Sequence, residues 1–302
     1  MSDPKPSRSK KSAAISSVYA AIFLTLFKTI VGLTSGSLGI LAEAAHSALD
    51  LVAALVTWFS VTFADKPADK NHPYGHGKVE NLGALVETLL LVLTCVWILW
   101  EAGQRLFVRM GEVDASVWAF LVMIISIIVD ISRSRMLKKA AIEHRSQALE
   151  ADALHFQTDV WSSAVVIFGL IGVKLSDAYP ALDELHHADA IAASIVALIA
   201  IGISIQLGKR TLMALVDSAP QGMAEQIQKL VEQIPGVMDC HNLRLRTSGA
   251  TVFADLHVLM DGNLTLNEAH RLTEVIEDAV KASLPHCDLT VHPEPADQNT
   301  KN

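Results

Sequence analysis

Cysteine and charge are both scarce in this sequence, and each scarcity closes off a class of protein. Three cysteines (Cys95, Cys240, Cys287) occur without a CxxC pair. Neither a disulfide framework nor a thiolate zinc knuckle is therefore indicated. They read as free thiols, with Cys240 beside His241 at most a spare soft ligand. Charged residues make up 19% of the chain and hydrophobic ones 51%. With a mean hydropathy of +0.36, such a chain is too apolar for an ordinary soluble protein of its size. The formal net charge is −8, so there is no basic footprint for nucleic acid. A cleavable leader is not expected either. The first apolar run follows Lys10-Lys11, lacks a small-residue cleavage site and continues at the length of a true span.

What is present is apolar length. After a polar tail over residues 1–12, expected to be disordered, six apolar segments follow, near 13–34, 38–64, 81–106, 115–137, 149–174 and 188–209. Each approaches the roughly 20 residues that cross a bilayer as a helix. The first connection, Ser35-Gly36, is so short that the first two spans must form an antiparallel hairpin. Lys5, Arg8, Lys10 and Lys11 precede the first span, and Lys66, Lys70 and Lys78 follow the second. Arg133, Arg135, Lys138, Lys139 and Arg145 follow the fourth, and Lys209 and Arg210 the sixth. The opposite side holds Ser35-Gly36, a mixed loop from Arg109 to Asp114 and an acidic stretch from Asp177 to Asp189. Excess Lys and Arg mark the cytoplasmic side, which places both termini in the cytoplasm.

Near residue 216 the pattern becomes that of a soluble domain. Gln221–Gln233 is amphipathic at helical period and stops at Pro235-Gly236. Val237–Arg246 and Thr251–Met260 predict two strands about a Ser248-Gly249 turn. Asn267–Leu284 predicts a second helix and Leu289–His292 a short third strand. The expected organisation is a six-helix transmembrane domain over 13–215, a small cytoplasmic αββαβ domain of the α+β class over 216–294, and a flexible tail over 295–302.

Ionisable residues inside the spans carry the chemistry. His46 and Asp50 lie four residues apart in the second span, so a helix stacks them one turn apart on one face. His155 and Asp159 repeat that arrangement in the fifth. An Asp at the centre of a span costs roughly 2.5–3.5 kcal/mol on insertion scales, which makes such residues functional candidates. Two helices each offering an imidazole and a carboxylate can build an N2O2 site, and zinc accepts tetrahedral N and O ligands without geometric penalty. Glu43 and Asp152 each sit one turn before an imidazole, where hydrogen bonding to the ligands is a better expectation than proton relay.

Elsewhere spacing leaves alternatives open. Asp69, His72 and His76, with Gly75 and Gly77 for flexibility, fit a zinc site with an open fourth position as well as they fit a polar loop packed at the membrane edge. His241, His257, His270 and His292, with Glu294, fall on each strand and on the second helix of the soluble part, so one face could collect them. Scattered histidines of a soluble domain are more often ordinary surface or core residues. His186 and His187 among Asp177, Asp183 and Glu184 read as a solvated outer loop.

Taken together, His46-x-x-x-Asp50, His155-x-x-x-Asp159, the loop Asn71-His-Pro-Tyr-Gly-His-Gly-Lys78 and the soluble tail domain resemble the cation diffusion facilitator family. The likeness runs from about residue 13 to 294. It implies a divalent metal/proton antiporter acting as a homodimer, not an enzyme, with a metallochaperone-like tail domain. It implies that His46, Asp50, His155 and Asp159 form the transport site and that Asp69, His72 and His76 form a loop site. His241, His257, His270, His292 and Glu294 become a cytoplasmic cluster, with Zn²⁺ both as cargo and in structural or regulatory sites. Lys78 and Asp217 match positions that make charged contacts near the membrane face of the dimer. Iron/zinc-type bacterial relatives carry Asp where this chain has His46, whereas many zinc-selective vesicular members carry His, and imidazole favours zinc over harder cations. Glu294 stands where Asp is common. An Fe²⁺, Mn²⁺ or Co²⁺ exporter on the same scaffold and a non-transporting membrane metal sensor are the alternatives, and four ligands within the spans argue against the sensor.

The Lys/Arg asymmetry generates a test of orientation. Single cysteines at Lys78 and Lys139 are expected to resist impermeant thiol reagents in intact cells, while one at Asp183 is labelled. Labelling of the soluble domain from outside would reverse the topology.

Overall fold

The computed structural model describes residues 5–107, 117–178 and 188–296. The mixed loop from Arg109 to Asp114 and most of the acidic stretch, with His186 and His187, lie outside the described residues. The chain divides into two compact units, Met1–Thr211 and Leu212–Asn302.

Six long helices make the first unit: α1 (Lys5–Ser35), α2 (Leu38–Ala64), α3 (Lys78–Phe107), α4 (Val117–His144), α5 (Gln147–Ala178) and α6 (Ala188–Leu215), the last running on into the second. Among the described residues five of them, all but α5, are long and apolar enough to cross a membrane. The α1–α2 hairpin turns on Gly36 at φ +67°, a left-handed conformation that only glycine adopts without penalty. Ser37 then caps α2 by accepting from the Ile40 N–H at 3.3 Å. A Cβ at Gly83 would stand 2.1 Å from Ser60 Oγ, so α2 and α3 approach too closely there for any larger residue.

Helix α1 starts eight residues before the expected span, inside what reads as a disordered tail. The reason is electrostatic. Lys10 is buried and ion-pairs with Glu80, and at 3.7 Å with Asp65, while Lys11 reaches Asp65 at 3.3 Å. Those pairs give the polar first turns partners that a tail in water would lack.

The second unit is αββαβ as expected: α7 (Met223–Glu232), β1 (Asp239–Ser248), β2 (Thr251–Asp261), α8 (Leu266–Ser283) and β3 (Cys287–Ala296). The sheet order is β1-β2-β3, with β1 antiparallel and β3 parallel to β2. Alternation decides the faces. Val252, Ala254, Leu256, Val258 and Met260 are buried in one core with Ile227, Val231, Ile276 and Val280 of the helices, which leaves His257 on the opposite face. Strand β3 runs four residues past the expected end at His292, through Pro293 and Pro295. Those prolines are tolerated because β3 lies at the sheet edge, where a missing N–H leaves no ladder bond unmade.

Leu256 is fully buried in that core. Leu256→Ala is expected to cost about 2–5 kcal/mol, read as a lowered urea midpoint of the 212–302 fragment. An unchanged midpoint would mean that the sheet does not pack on its helices as described.

Candidate metal centre

Helices α2 and α5 bring the two i, i+4 pairs together. His155 Nε2 lies 3.2 Å from Asp50 Oδ1 on the other helix and 3.6 Å from Asp159 Oδ2 on its own. His46 Nε2 lies 3.7 Å from Asp159 Oδ1 across the helices and 3.9 Å from Asp50 Oδ1. Each imidazole thus reaches both carboxylates, and one ligand atom from each of His46, Asp50 and Asp159 lies within 4.8 Å of the other two. Asp159 is 7% exposed, yet neither of its oxygens has a hydrogen-bond partner among the described residues. A buried carboxylate without a hydrogen bond is costly, and a cation bound among these four groups removes that cost.

The two sides of this cluster differ. Toward the α1–α2 turn a cavity of about 440 Å³ is lined by Glu43, His46, Thr94, Trp97, Glu101 and Ser162, among others. On the other side the helices close. Phe156 is fully buried beneath the Arg133 guanidinium, 3.4 Å above its ring, and Arg133 Nη2 donates to Ser17 Oγ at 3.0 Å. Ser17 in turn donates to Asp152 at 3.2 Å, and Thr57 donates to the buried Glu87 at 2.6 Å. Asp152 therefore bonds to Ser17 and Glu43 to Lys28, at 3.1 Å, rather than to the imidazoles one turn on. Sequence reasoning passes over Lys28, Glu87 and Asp130, although an ionisable residue inside an apolar span is the signal that finds them.

The loop residues also converge. Asp69 Oδ1 stands 3.2 Å from His72 Nδ1, and Asp69 Oδ2 stands 3.4 Å from His76 Nε2. Gly75, at φ +77°, makes the turn between the two histidines. His76 is buried edge-on to Phe63 at 5.2 Å, while its Nε2 still lies within a cluster of three possible donors with Asp69 and His72. Backbone N–H groups of His72 and Asn71 point at Asp69, and the bond from His72 leads in holding its carboxyl below the usual range.

In the cytoplasmic domain the strand register builds a row. His241 pairs with His257, and His257 with His292, so the three rings cross the sheet on its helix-free face. Ring centroids are 5.7 Å and 4.7 Å apart along the row. A register shift between His241 and Arg244, with Asn242 at φ +51°, swings the Asn242 amide to 3.2 Å from His257 Nε2. Such bulges re-aim side chains beside functional sites. Glu294, two residues beyond His292, is hydrogen-bonded to His257 Nδ1 at 2.7 Å, and its other oxygen lies 3.2 Å from His241 Nε2. His270 does not join them. It lies on α8, in the layer behind the sheet, highly exposed and 3.7 Å from Glu274. The expectation that one face gathers all four histidines is corrected there: a helix covering the opposite face cannot deliver a side chain through the sheet. Cys240 is buried in the apolar core and its thiol is pushed up to about 11 by burial, which removes it as a spare ligand.

Two family models cover this architecture. The cation efflux transmembrane domain matches residues 14–216, and the cytoplasmic domain of cation efflux proteins matches residues 219–296. The chain belongs to the cation diffusion facilitator family. The cation-efflux pump FieF of Shewanella oneidensis is 30% identical over 286 residues, 94% of each chain. FieF of Yersinia enterocolitica is 31% identical over 296 residues, covering 97% of this chain and 95% of that one. Among solved structures, the MamM CTD in a nickel form is 25% identical and covers 26% of this chain and 100% of that chain, with a TM-score of 0.25. This member of the family is a multi-pass membrane protein and a divalent cation efflux transporter.

The bond from His257 leads in holding the Glu294 carboxyl below the usual range. A carboxylate whose folded value is depressed stabilises the fold above its ordinary value, and that contribution is lost as pH falls through the lowered one. The thermal midpoint of the 212–302 fragment is expected to drop across the acid end of the carboxylate range, and Glu294→Gln to flatten that drop. An identical pH profile in the variant would show that the His257–Glu294 bond adds nothing.

Proposed function

We propose that this transporter exports Zn²⁺ from the cytoplasm in exchange for protons, by alternating access, through His46, Asp50, His155 and Asp159. The contact of each imidazole with both carboxylates, across α2 and α5, carries the reading. An N2O2 donor set suits zinc better than it suits harder cations, for which oxygen donors would be expected throughout. Metal binding needs neutral imidazoles and ionised carboxylates, so loading the site displaces protons and unloading lets them return. Charge balance asks for the same coupling, since two bare carboxylates at membrane depth must take up protons when the metal leaves.

Direction follows from orientation. With both termini in the cytoplasm of a cell whose inner membrane holds an inward proton gradient, protons enter as metal leaves. The 440 Å³ cavity flanks His46 on the side of the α1–α2 turn, which fits a state open for release. Asp69, His72 and His76 take a further ion at the cytoplasmic edge. His241, His257, His292 and Glu294 take regulatory zinc, and their open face is available to a second copy in a homodimer. A ligand shifts a conformational equilibrium only by its differential affinity for the two states, so this control is graded, with coupling of roughly 1–3 kcal/mol.

Flux into proteoliposomes under an imposed pH gradient tests the whole reading. Asp50→Ala or Asp159→Ala is expected to abolish Zn²⁺ flux. His46→Asp is expected to keep transport while widening it toward Cd²⁺ and harder divalent ions. His257→Ala with His292→Ala is expected to lower flux only at limiting zinc. Zinc flux indifferent to the pH gradient would remove the antiport. An unchanged metal preference in His46→Asp would remove His46 as a selectivity ligand.

A further inference from the structure

A second, smaller cavity of about 40 Å³, room for about one water-sized species, lies against the same four-residue cluster on the α1 and α4 side. It is lined by Asp50 and Asp159 and by three charged groups that the transport reading leaves idle: Lys28 of α1, Glu43 of α2 and Asp130 of α4. Lys28 is 4% exposed, within an apolar span, and nothing in the chemistry of metal ligation calls for an ammonium beside a metal site. A buried lysine needs a partner, and Lys28 Nζ donates to Glu43 Oε2 at 3.1 Å. Asp130, also buried, has its own cation, accepting from Arg133 Nη1 at 3.3 Å. No lysine or arginine among the described residues pairs with Asp50 or Asp159, whose partners are the two imidazoles. Each accessory carboxylate on the cavity is thus matched by a fixed cation, and the two carboxylates left over are the charge that a single divalent ion neutralises.

We infer that Lys28 is the resident counter-cation of the transport cavity, opposing Glu43 so that the charge facing the ion is set by Asp50 and Asp159 alone. This rests on the reading of those residues as the transport site. In that position Lys28 acts through the field it makes, not by touching the metal. It is a positioning residue that tunes how tightly the cavity holds its cargo, and therefore how readily it lets go. Removing the ammonium leaves Glu43 as an added negative charge beside the ion, which binds cargo more tightly and slows release. Removing the Glu43 charge leaves the ammonium unopposed, which weakens loading. The two changes have opposite sign because they alter one field, and together they cancel.

Zinc flux by the full-length chain in proteoliposomes, measured against Zn²⁺ concentration, reads this directly. Lys28→Met is expected to lower the half-saturating Zn²⁺ roughly tenfold, with a fall in maximal rate. Glu43→Gln is expected to raise the half-saturating Zn²⁺ by a similar factor. The double variant should return to within about threefold of the wild type, and Lys28→Arg, which keeps the charge, should stay near it. A structural role for the ion pair would move both single variants in the same direction. That result, or a double variant no nearer the wild type than either single, overturns the inference. If Lys28→Met does not insert, Glu43→Gln against the charge-conserving Glu43→Asp carries the test, and equal half-saturation in those two overturns it. Asp159→Ala in the same assay keeps the two levels apart. Surviving flux removes the transport-site reading itself, whereas lost flux with same-sign shifts removes only the counter-cation.

Discussion

A carboxylate held at the depth of a bilayer is the constraint to which the helical unit answers. Each such group loses hydration worth several kcal/mol and must recover it from neighbours that the fold supplies. Asp50 and Asp159 recover part of it from imidazoles on each other's helix, which ties α2 to α5 at one height. Asp152 recovers it from Ser17 of α1, Glu87 from Thr57 of α2, and Asp130 from Arg133 one turn along α4. The polar groups therefore act as registration marks between helices whose apolar surfaces alone would slide. The small residues Ala84, Ala140, Ala148 and Ala153 in the same core let the backbones come close enough for those short side chains to meet.

The contacts within the four-residue cluster differ from those around it. The bonds around Asp152, Arg133 and Glu87 are short and shielded on one side of the centre, whereas the contacts among His46, Asp50, His155 and Asp159 are mostly longer than a hydrogen bond. A buried polar group whose partners stand beyond hydrogen-bond distance keeps most of its desolvation cost, and a cation offsets that cost. Among the described residues Asp159 is the one carboxylate with both oxygens buried and without a hydrogen bond, whereas Asp152 and Glu87 each have one oxygen bonded and one not.

Periodicity explains what is legible in the sequence. An i, i+4 His–Asp pair inside an apolar run fixes both the helix and the face, so the α2–α5 centre is readable from residue spacing alone. The alternation in β2 likewise determines which residues enter the domain core. Features that depend on a distant partner are not readable in this way. Lys10 reads as a tail residue until Glu80, seventy positions away, is placed against it. The extension of β3 through Pro293 and Pro295 is hidden, because proline forbids a central strand and the edge position is a matter of topology. His270 falls in with the other histidines because sequence order says nothing about which side of a sheet a helix covers. Lys28 and Asp130 are single ionisable residues without a repeat, and their proximity to the centre is a property of four packed helices.

Those two prolines have a consequence for how copies of the cytoplasmic domain can meet. Pro293 and Pro295 sit two residues apart in β3, so they belong to one row of backbone positions, the row turned away from β2. An incoming strand would find two of its acceptors unanswered there, and a sheet cannot be lengthened cheaply across such a border. Backbone-templated growth, the route by which small open sheets become fibrils, is blocked at that margin by the same residues that flank Glu294. Association through this end of the domain is left to side chains, whose strength can be set by what they bind, and so remains reversible.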